Sequence, residues 1–305
     1  MNGVVENPRA FGARLVFPTP AGSRRVNPFC VAAGDVCRRA LLTEEPLFRG
    51  MESVPPIGHR VIRLDSVDST NTYAALALSR GEASHGTAVV ALEQTQGRGQ
   101  RGRSWATAKG LDLAVSVVLL PRHLAASGQF LVAKAAALAV HDVVAGVLAQ
   151  AGADPGEVRI KWPNDVLVGR SKVAGILIMN ELQGLSLASS VVGIGLNVNS
   201  RGGDSVWQAT SLLQETRLPH GLDELLEVLF GRLEHWWRQL PDDAGRLSKA
   251  YADLLWGRGR FGDFLLDGRP FKARPLDVDG SGRLLVEDEA GGVSAYGLER
   301  LKLLR

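Results

Sequence analysis

Hydrophobic and polar positions recur along the chain in several distinct patterns, and each pattern predicts a particular element. His59–Leu64 alternates weakly between polar and apolar residues, and Thr87–Leu92 is rich in β-branched residues, so both segments predict strands. Between them, Ser69–Ser79 predicts a helix with Ser69 or Thr70 as its N-cap. Further strands are predicted at Leu111–Leu120, Val158–Ile160, Val166–Val168, Ala174–Asn180 and Leu187–Leu196.

Two longer segments repeat apolar residues at steps of three and four, which predicts helices. The first runs from about Ser127 to Gln150, and the second carries a leucine and tryptophan stripe from Leu222 to Trp237. The composition changes after Trp256-Gly257, where short apolar runs are separated by Asp267-Gly268, Asp279-Gly280 and Gly291-Gly292. Such turn residues are typical of hairpins in a small β-barrel.

These elements predict an α+β fold, in which a mixed β-sheet flanked by helices occupies residues 58–255 and a small barrel occupies residues 256–305. Residues 1–57 show no periodicity and contain scattered Pro, Gly and Arg. Three interpretations of that segment stay open: a disordered arm, a targeting segment, or sequence translated from upstream of the true start at Met51. The acidic residues Glu6, Asp35, Glu44 and Glu45 argue against an organelle transit peptide.

The composition is that of an ordinary globular protein, with 45% hydrophobic and 22% charged residues in 305. The 35 basic and 32 acidic residues nearly balance, which favours a locally basic site over a surface that coats nucleic acid. Cys30 and Cys37, the only cysteines, indicate free thiols in a reducing cytoplasm. The most apolar stretch, Phe130–Ala149, is interrupted by three polar residues, so we expect no membrane span.

The most specific segment is Gly97–Arg103, which lies in a predicted loop from Gln94 to Gly110. Its three glycines let backbone N–H groups approach a ligand, and its three arginines suit carboxylate or phosphate. The alternatives are a solvated basic loop or an RNA-binding Arg-Gly segment, although such RNA segments usually repeat and this one occurs once. The loop therefore predicts an anion-binding site.

Four other segments place polar residues at the ends of strands or helices, and each also has a purely structural explanation. Ser69-Thr70-Asn71 caps a helix or binds a neutral, hydrogen-bonding ring. Lys161-Trp162-Pro163-Asn164-Asp165 forms a tight turn, or its Asn164 and Asp165 read an adenine edge or hold a hydrated Mg²⁺. Ser171–Leu177 carries a lysine for solubility or as a point charge over a site. Gly193–Asn199 is the end of a strand followed by a turn, or its two glycines let a ligand approach the backbone closely.

In this order and at these spacings, the segments resemble the biotin–protein ligases. The shared motifs are Ser-Thr-Asn, Gln-x-x-Gly-Arg-Gly-x-Arg-Gly-Arg-x-Trp, Lys-Trp-Pro-Asn-Asp, Lys-x-x-Gly-Ile-Leu and Gly-x-Gly-x-Asn, all between Ser69 and Asn199. The resemblance covers about residues 59–305 and implies a class II synthetase-like (SH2-like) catalytic domain with an SH3-like barrel. Gln100 stands where many relatives have Arg, and Asp112 where relatives often have Asn or a small residue.

The resemblance also implies roles for individual residues. Catalysis is implied for Lys172 and Arg98. Biotin binding is implied for Ser69, Thr70, Asn71, Gln94, Arg98, Gly99, Gln100, Lys172 and Gly175. Nucleotide binding is implied for Arg101, Arg103, Trp105, Asn164, Asp165 and Asn197, and Asp165 is the candidate ligand for Mg²⁺.

The implied reaction consumes ATP and biotin, forms biotinyl-5'-AMP, and transfers biotin to a lysine of a biotin carboxyl-carrier domain, such as that of acetyl-CoA carboxylase. We expect a cytoplasmic enzyme that uses Mg²⁺ and has neither a DNA nor a membrane partner. Residues 1–57 lack the apolar pattern of a helix-turn-helix. A homodimer is a further expectation, through an edge strand near Ala174–Leu187.

Two other functions compete with this interpretation. A lipoyl or octanoyl transferase has a similar fold, but the complete Gly-Arg loop together with Lys161–Asp165 favours biotin. A nucleic-acid-binding protein would carry further basic and aromatic clusters on exposed strands, and the sequence shows none.

Overall fold

The computed structural model describes residues 54–201, 209–240 and 242–304. A seven-stranded sheet lies at the centre of these ranges. Its strands are β1 (Arg60–Val67), β2 (Thr87–Gln94), β3 (Leu113–Leu119), β4 (Val158–Lys161), β5 (Asp165–Val168), β6 (Ser171–Gln183) and β7 (Ser186–Leu196). The spatial order is β1-β2-β3-β7-β6-β5-β4, with β1 and β2 parallel and every other neighbouring pair antiparallel. The predicted mixed sheet is therefore confirmed.

Helices cover both faces of this sheet. They are α1 (Thr70–Ser79), α2 (Phe130–Gln150), α3 (Leu212–Thr216), α4 (Leu222–Trp237) and α5 (Ala244–Asp253). Alternate residues of the strands point to opposite faces, so Val89 and Val118 pack with α1 while Ala88 and Val117 pack in the larger core with α2 and α4. The face with α1 carries the smaller of the two apolar clusters.

Helix α2 is the central core helix, and most of its residues from Val132 to Leu148 are buried. With the preceding residues it is long and apolar enough to cross a membrane, but 67% of that window is buried inside the protein. It packs against α4, α5 and the strands β4 to β6. Its one buried charge, Lys134, donates hydrogen bonds to Val278 O at 2.6 Å and Ser248 Oγ at 3.2 Å.

A second sheet of five antiparallel strands follows α5. It consists of β8 (Gly262–Leu266), β9 (Arg269–Val278), β10 (Leu284–Asp288), β11 (Val293–Tyr296) and β12 (Leu301–Leu303), in the order β11-β10-β9-β8-β12. Asp267 and Gly268 both have positive φ angles, as the predicted two-residue hairpin turn requires. Trp162 Nε1 donates to Gly282 O at 2.9 Å, so the two sheets are joined by direct contacts.

Several sequence expectations need correction or extension. The short helices α3 and α5 were not predicted. They begin at the capping residues Ser211 and Asp243, whose side chains accept from Gln214 N and Arg246 N. The predicted edge strand near Ala174–Leu187 lies on β6 and the start of β7: its first residues lie between β5 and β7, but beyond Gly175 the outer side of β6 pairs with no strand among residues 54–201, 209–240 and 242–304. Within the described residues, only Ser171–Gly175 of β6 pairs with β5, so the homodimer stays a prediction.

The predicted domain boundary at residues 255 and 256 falls between α5 and β8 and stays a prediction. The predicted extension, residues 1–57, lies outside the described residues except for residues 54–57. Ile57 is buried in the core and its backbone N–H donates to Glu234 Oε2 at 2.8 Å.

Candidate active site

A cleft of about 710 Å³ opens on the face of the large sheet that also carries α1. Every residue for which the resemblance implied a role lines it, from Ser69 at the N-cap of α1 to Asn197 after β7. The wall is completed by the second sheet, through Leu298, Leu301, Lys302 and Leu303. Its volume is in the range of pockets that enclose a small organic ligand.

The start of α1 forms the polar corner of the cleft. Thr70 N and Thr70 Oγ1 donate to Gln94 Oε1 at 2.9 and 3.1 Å, and Asn71 Nδ2 donates to Leu177 O at 2.9 Å. Ser69 occupies the N-cap position but makes no capping hydrogen bond with its side chain. Simple helix capping therefore does not account for this motif.

Ser116 organises this corner, although the sequence had not singled it out. It is fully buried on β3, and its hydroxyl donates to Asn71 Oδ1 at 2.7 Å and lies 2.8 Å from Thr70 Oγ1. Because each hydroxyl carries one proton, Ser116 donates to one of these two oxygens at a time, and Thr70 likewise donates either to Ser116 or to Gln94 Oε1. A single polar residue in an otherwise apolar strand, Leu113–Leu119, is the signal that identifies it.

The floor of the cleft is bare backbone, because three glycines lie side by side on β6 and β7. Gly175 is the cross-strand partner of Gly195, and Gly193 is that of Leu177. A Cβ at Gly193 would overlap the Asn71 amide, and a Cβ at Gly195 would overlap the Trp105 indole. At Gly175 a Cβ would lie 2.9 Å from Trp105 Cζ3. Only glycine at these positions lets Asn71 and Trp105 reach the sheet.

Lys172 is the central cation of the cleft. Its Nζ lies 2.6 Å from Asp165 Oδ1 and 5.1 Å from the centroid of the Trp105 ring. Lys161 approaches Asp165 Oδ2 at 4.0 Å, so one carboxylate faces two ammonium groups. The side chains of Lys172 and Asp165 are 26% and 16% exposed, which weakens the screening of these charges by solvent.

The Gly-Arg loop folds back on itself above this lysine. Arg98 and Ser104 form an isolated β-bridge, Gly99 N donates to Arg103 O at 2.6 Å, and Trp105 N donates to Gly97 O at 2.8 Å. Arg101 has a φ of 56° and its guanidinium contacts the carbonyl oxygen of Leu298, in the turn between β11 and β12. The exposed Arg98, Arg101 and Arg103 side chains thus lie along the rim.

Two predicted nucleotide-binding residues also hold backbone in place. Asn164 Nδ2 donates to Ile176 O at 2.8 Å, and Asn197 Nδ2 donates to Thr210 O at 2.9 Å. Both residues also line the cleft. Their predicted role stays a prediction, as do the individual roles of the other cleft residues.

Comparisons with known proteins identify the chain at the level of family. Residues 64–197 match the model of the Biotin/lipoate A/B protein ligase family. The bifunctional ligase/repressor BirA of Bacillus spizizenii is 36% identical over 251 residues, which cover 79% of this chain and 73% of that protein. The biotin--[acetyl-CoA-carboxylase] ligase of Mycobacterium tuberculosis is 34% identical, over 76% of this chain and 91% of that protein.

A solved structure shows the same likeness in three dimensions. The biotin protein ligase of Aquifex aeolicus, in complex with biotin and ATP, superposes with a TM-score of 0.65 at 26% identity. The match covers 81% of this chain and 99% of that chain. The chain is therefore a member of the biotin/lipoate A/B protein ligase family and belongs to its biotin–protein ligases.

Proposed function

We propose that this enzyme activates biotin with ATP to biotinyl-5'-AMP and transfers the biotinyl group to a lysine of a biotin carboxyl-carrier domain. One observation carries the proposal. A single cleft holds a neutral hydrogen-bonding corner at one place and a paired lysine beneath an arginine-rich loop at another. This arrangement matches a ligand with a polar uncharged ring and a carboxylate that reacts with a phosphate.

The corner formed by Ser69, Thr70 and Asn71, with Ser116 buried behind them, suits the ureido ring of biotin. That ring offers two N–H donors and one carbonyl acceptor, and hydroxyl and amide groups can form hydrogen bonds with both kinds of group. Because Asn71 and Ser116 are already fixed by hydrogen bonds, little side-chain entropy is lost when the ring binds. The corner lies on the glycine floor, which lets the ring approach the sheet closely.

Lys172 and the loop arginines supply the charge that the first step needs. The biotin carboxylate attacks the α-phosphorus of ATP, the bond from that phosphorus to the bridging oxygen breaks, and pyrophosphate leaves. Both reactants are anions, so their approach is opposed by repulsion that fixed cations offset. Asp165 holds the Lys172 ammonium at a defined point of the cleft.

The second step needs no nucleophilic side chain on the enzyme. The amine of the carrier lysine attacks the acyl carbon, the bond from that carbon to the phosphate oxygen breaks, AMP leaves, and the amine proton passes to solvent. The enzyme's task here is to shield the mixed anhydride from water. The Gly-Arg loop, which reaches the second sheet through Arg101, is placed to cover it.

We propose Mg²⁺ only as an ion bound to the triphosphate of ATP. Among residues 54–201, 209–240 and 242–304, no group of three or more His, Cys, Asp or Glu side chains is placed to hold a metal. Asp165, the candidate ligand, is paired with Lys172. Mg²⁺ commonly binds through one or two carboxylates together with substrate phosphates, so it would supply charge neutralisation at the phosphates.

The carrier partner is inferred from relatives named biotin--[acetyl-CoA-carboxylase] ligase. We also propose a cytoplasmic location, which Cys30 and Cys37 support as the only cysteines of the sequence. The expectation that the protein does not bind DNA stays a prediction, because it concerns residues 1–57, nearly all outside the described ranges.

The direct test is incubation of the protein with ATP, Mg²⁺, biotin and a biotin carboxyl-carrier domain, followed by mass measurement of the carrier. We expect a mass increase of one biotinyl group that depends on ATP. Parallel reactions with lipoate and octanoate serve as controls. Transfer of either acid in place of biotin would overturn the proposal.

A further inference from the structure

Asp112 joins two walls of the cleft, although the motifs that identify the family do not include it. It is 4% exposed and lies just before β3. Its Oδ1 accepts from Val198 N at 2.8 Å and from Ser200 N at 3.3 Å, and its Oδ2 accepts from Ala108 N at 3.3 Å. One buried carboxylate thus receives three backbone N–H groups from two separate segments.

The two segments are neighbouring parts of the cleft lining, since both reach one carboxylate. Ala106, Thr107 and Ala108 form the arm that leads out of the Gly-Arg loop after Trp105, and all of them line the cleft. Ser200 and Arg201 follow the exit of β7 and line it as well. Leu111, next to Asp112, reinforces the connection by accepting from Asn199 N at 2.9 Å.

The arm itself carries polar atoms whose bonding is incomplete. Within the described ranges, Trp105 Nε1 and Thr107 Oγ1 are buried and have no hydrogen-bond partner. A buried polar group without a partner is unfavourable, and its neighbourhood is therefore a place where a ligand or a small movement supplies one. Asp112 fixes the far end of this arm, so any movement of the arm is transmitted to the carboxylate.

We propose that Asp112 is a positioning residue that couples the Gly-Arg loop arm to the exit of β7, so that both walls hold the biotinyl-adenylate together. The inference rests on the proposed function. A charged acceptor serves better than a neutral one, because both carboxylate oxygens accept while an amide offers one acceptor and one donor. Asparagine at this position would keep the Val198 and Ser200 bonds but turn an N–H group toward the N–H group of Ala108.

The test is Asp112→Asn, an almost isosteric change that breaks the coupling on the arm side only. The adenylate is formed from labelled biotin and ATP, excess reagent is removed by rapid desalting, and loss of label from the protein is followed. We expect the adenylate to leave roughly tenfold faster, as for the loss of one charge-assisted hydrogen bond. The KM for ATP should rise, while the rate of transfer from bound adenylate to the carrier stays unchanged.

Asp279→Asn is the matched control. Asp279 does not line the cleft, and its carboxylate likewise accepts two backbone N–H groups on Oδ1, from Ser281 and Arg283, and a further donor on Oδ2, Arg283 Nε at 2.7 Å. This variant also turns an N–H group toward a donor but leaves the loop arm and the exit of β7 alone, so its adenylate should leave at the wild-type rate. Equal leakage from both variants, or none from Asp112→Asn, would overturn the inference.

Failure of the inference and failure of the proposed function are distinguishable. If the unaltered protein forms no biotinyl-adenylate, the proposed function is wrong. If Asp112→Asn does not fold, amide hydrogen exchange on the unaltered protein tests the coupling instead. The amides of Ala108 and Ser200 should gain protection together when adenylate forms, and protection of Ser200 alone would contradict the coupling.

Discussion

Replacement of Lys172 with methionine would remove the ammonium group while keeping most of the side-chain volume. The Lys172 Nζ lies 2.6 Å from Asp165 Oδ1, in a part of the cleft where both side chains are largely buried. Two unit charges about 4 Å apart interact by about 4 kcal/mol at an effective dielectric constant near 20. The variant loses this attraction toward the reacting phosphate and leaves the Asp165 charge beside it with only Lys161 at 4.0 Å.

We therefore expect adenylate formation to slow by roughly 10²–10³-fold, the range seen when one transition-state charge stabiliser is removed. The free energy of unfolding should change by less than about 2 kcal/mol, because the pair is not fully buried. The assay is single-turnover formation of labelled biotinyl-5'-AMP, with thermal unfolding measured on the same preparations. Transfer from preformed adenylate should fall less, since no triphosphate takes part in it.

Lys249→Met is the matched control. Lys249 forms a pair of the same 2.6 Å length with Asp253, but on the exposed surface of α5. This variant should form adenylate at the wild-type rate. Our reasoning would be refuted if Lys172→Met formed adenylate within about twofold of wild type, since removing a charge attraction of several kcal/mol should slow the reaction far more.

Three further predictions concern the floor of the cleft and two buried groups outside it. Gly193→Ala should raise the KM for biotin about ten- to a hundredfold more than the KM for ATP, because the new methyl group displaces Asn71. Gly195→Ala should raise the KM for ATP more than the KM for biotin, because its methyl group displaces Trp105. Steady-state kinetics with each substrate varied would measure both effects. Burial lowers the pKa of His85, so the native state resists protonation of this ring. The contribution to the free energy of unfolding is complete above about pH 6.5 and is lost as the pH falls below that value, by about 1.4 kcal/mol per unit by which the pKa is lowered. His85→Asn keeps an acceptor for Leu120 N and should reduce the loss of thermal stability at acid pH. Part of that loss should remain, because burial also lowers the pKa values of His123 and His220. Burial likewise lowers the pKa of Lys134 below its ordinary value of 10.5, so the native state gives up this proton first and stability should rise as the pH increases toward 10. Lys134→Met should abolish the rise in denaturant unfolding. Above pH 10 the raised pKa of buried Tyr251 acts in the opposite direction.

Much of the site was predictable because its residues belong to short motifs at strand ends, where the backbone brings them to one face. Ser69–Asn71, the Gly-Arg loop and Lys172 all meet in the cleft as the sequence implied. Local spacing could not show that Lys172 pairs with Asp165, which depends on the register of β5 against β6. It also could not show the wall from Leu298 to Leu303, because that contact spans about two hundred residues of chain.

The missed elements have physical reasons as well. Helix α5 is only ten residues long and half polar, so its apolar stripe of Leu247 and Tyr251 is too short to stand out. Asp112 was visible as a departure from the family pattern, but its three backbone donors come from segments that lie far apart in sequence. Ser116 needed the sheet pairing before its place beside Asn71 could be known.

The glycine floor limits how this enzyme can be re-engineered. Where a pocket is lined by side chains, a single substitution can reshape it gradually. Here Gly175, Gly193 and Gly195 offer only the peptide backbone, and any larger residue pushes Trp105 or Asn71 away from the sheet. Variants that accept an altered ring should therefore arise from changes in α1, in Ser116 or in the Gly-Arg loop, and libraries built on the floor strands should return mostly inactive clones.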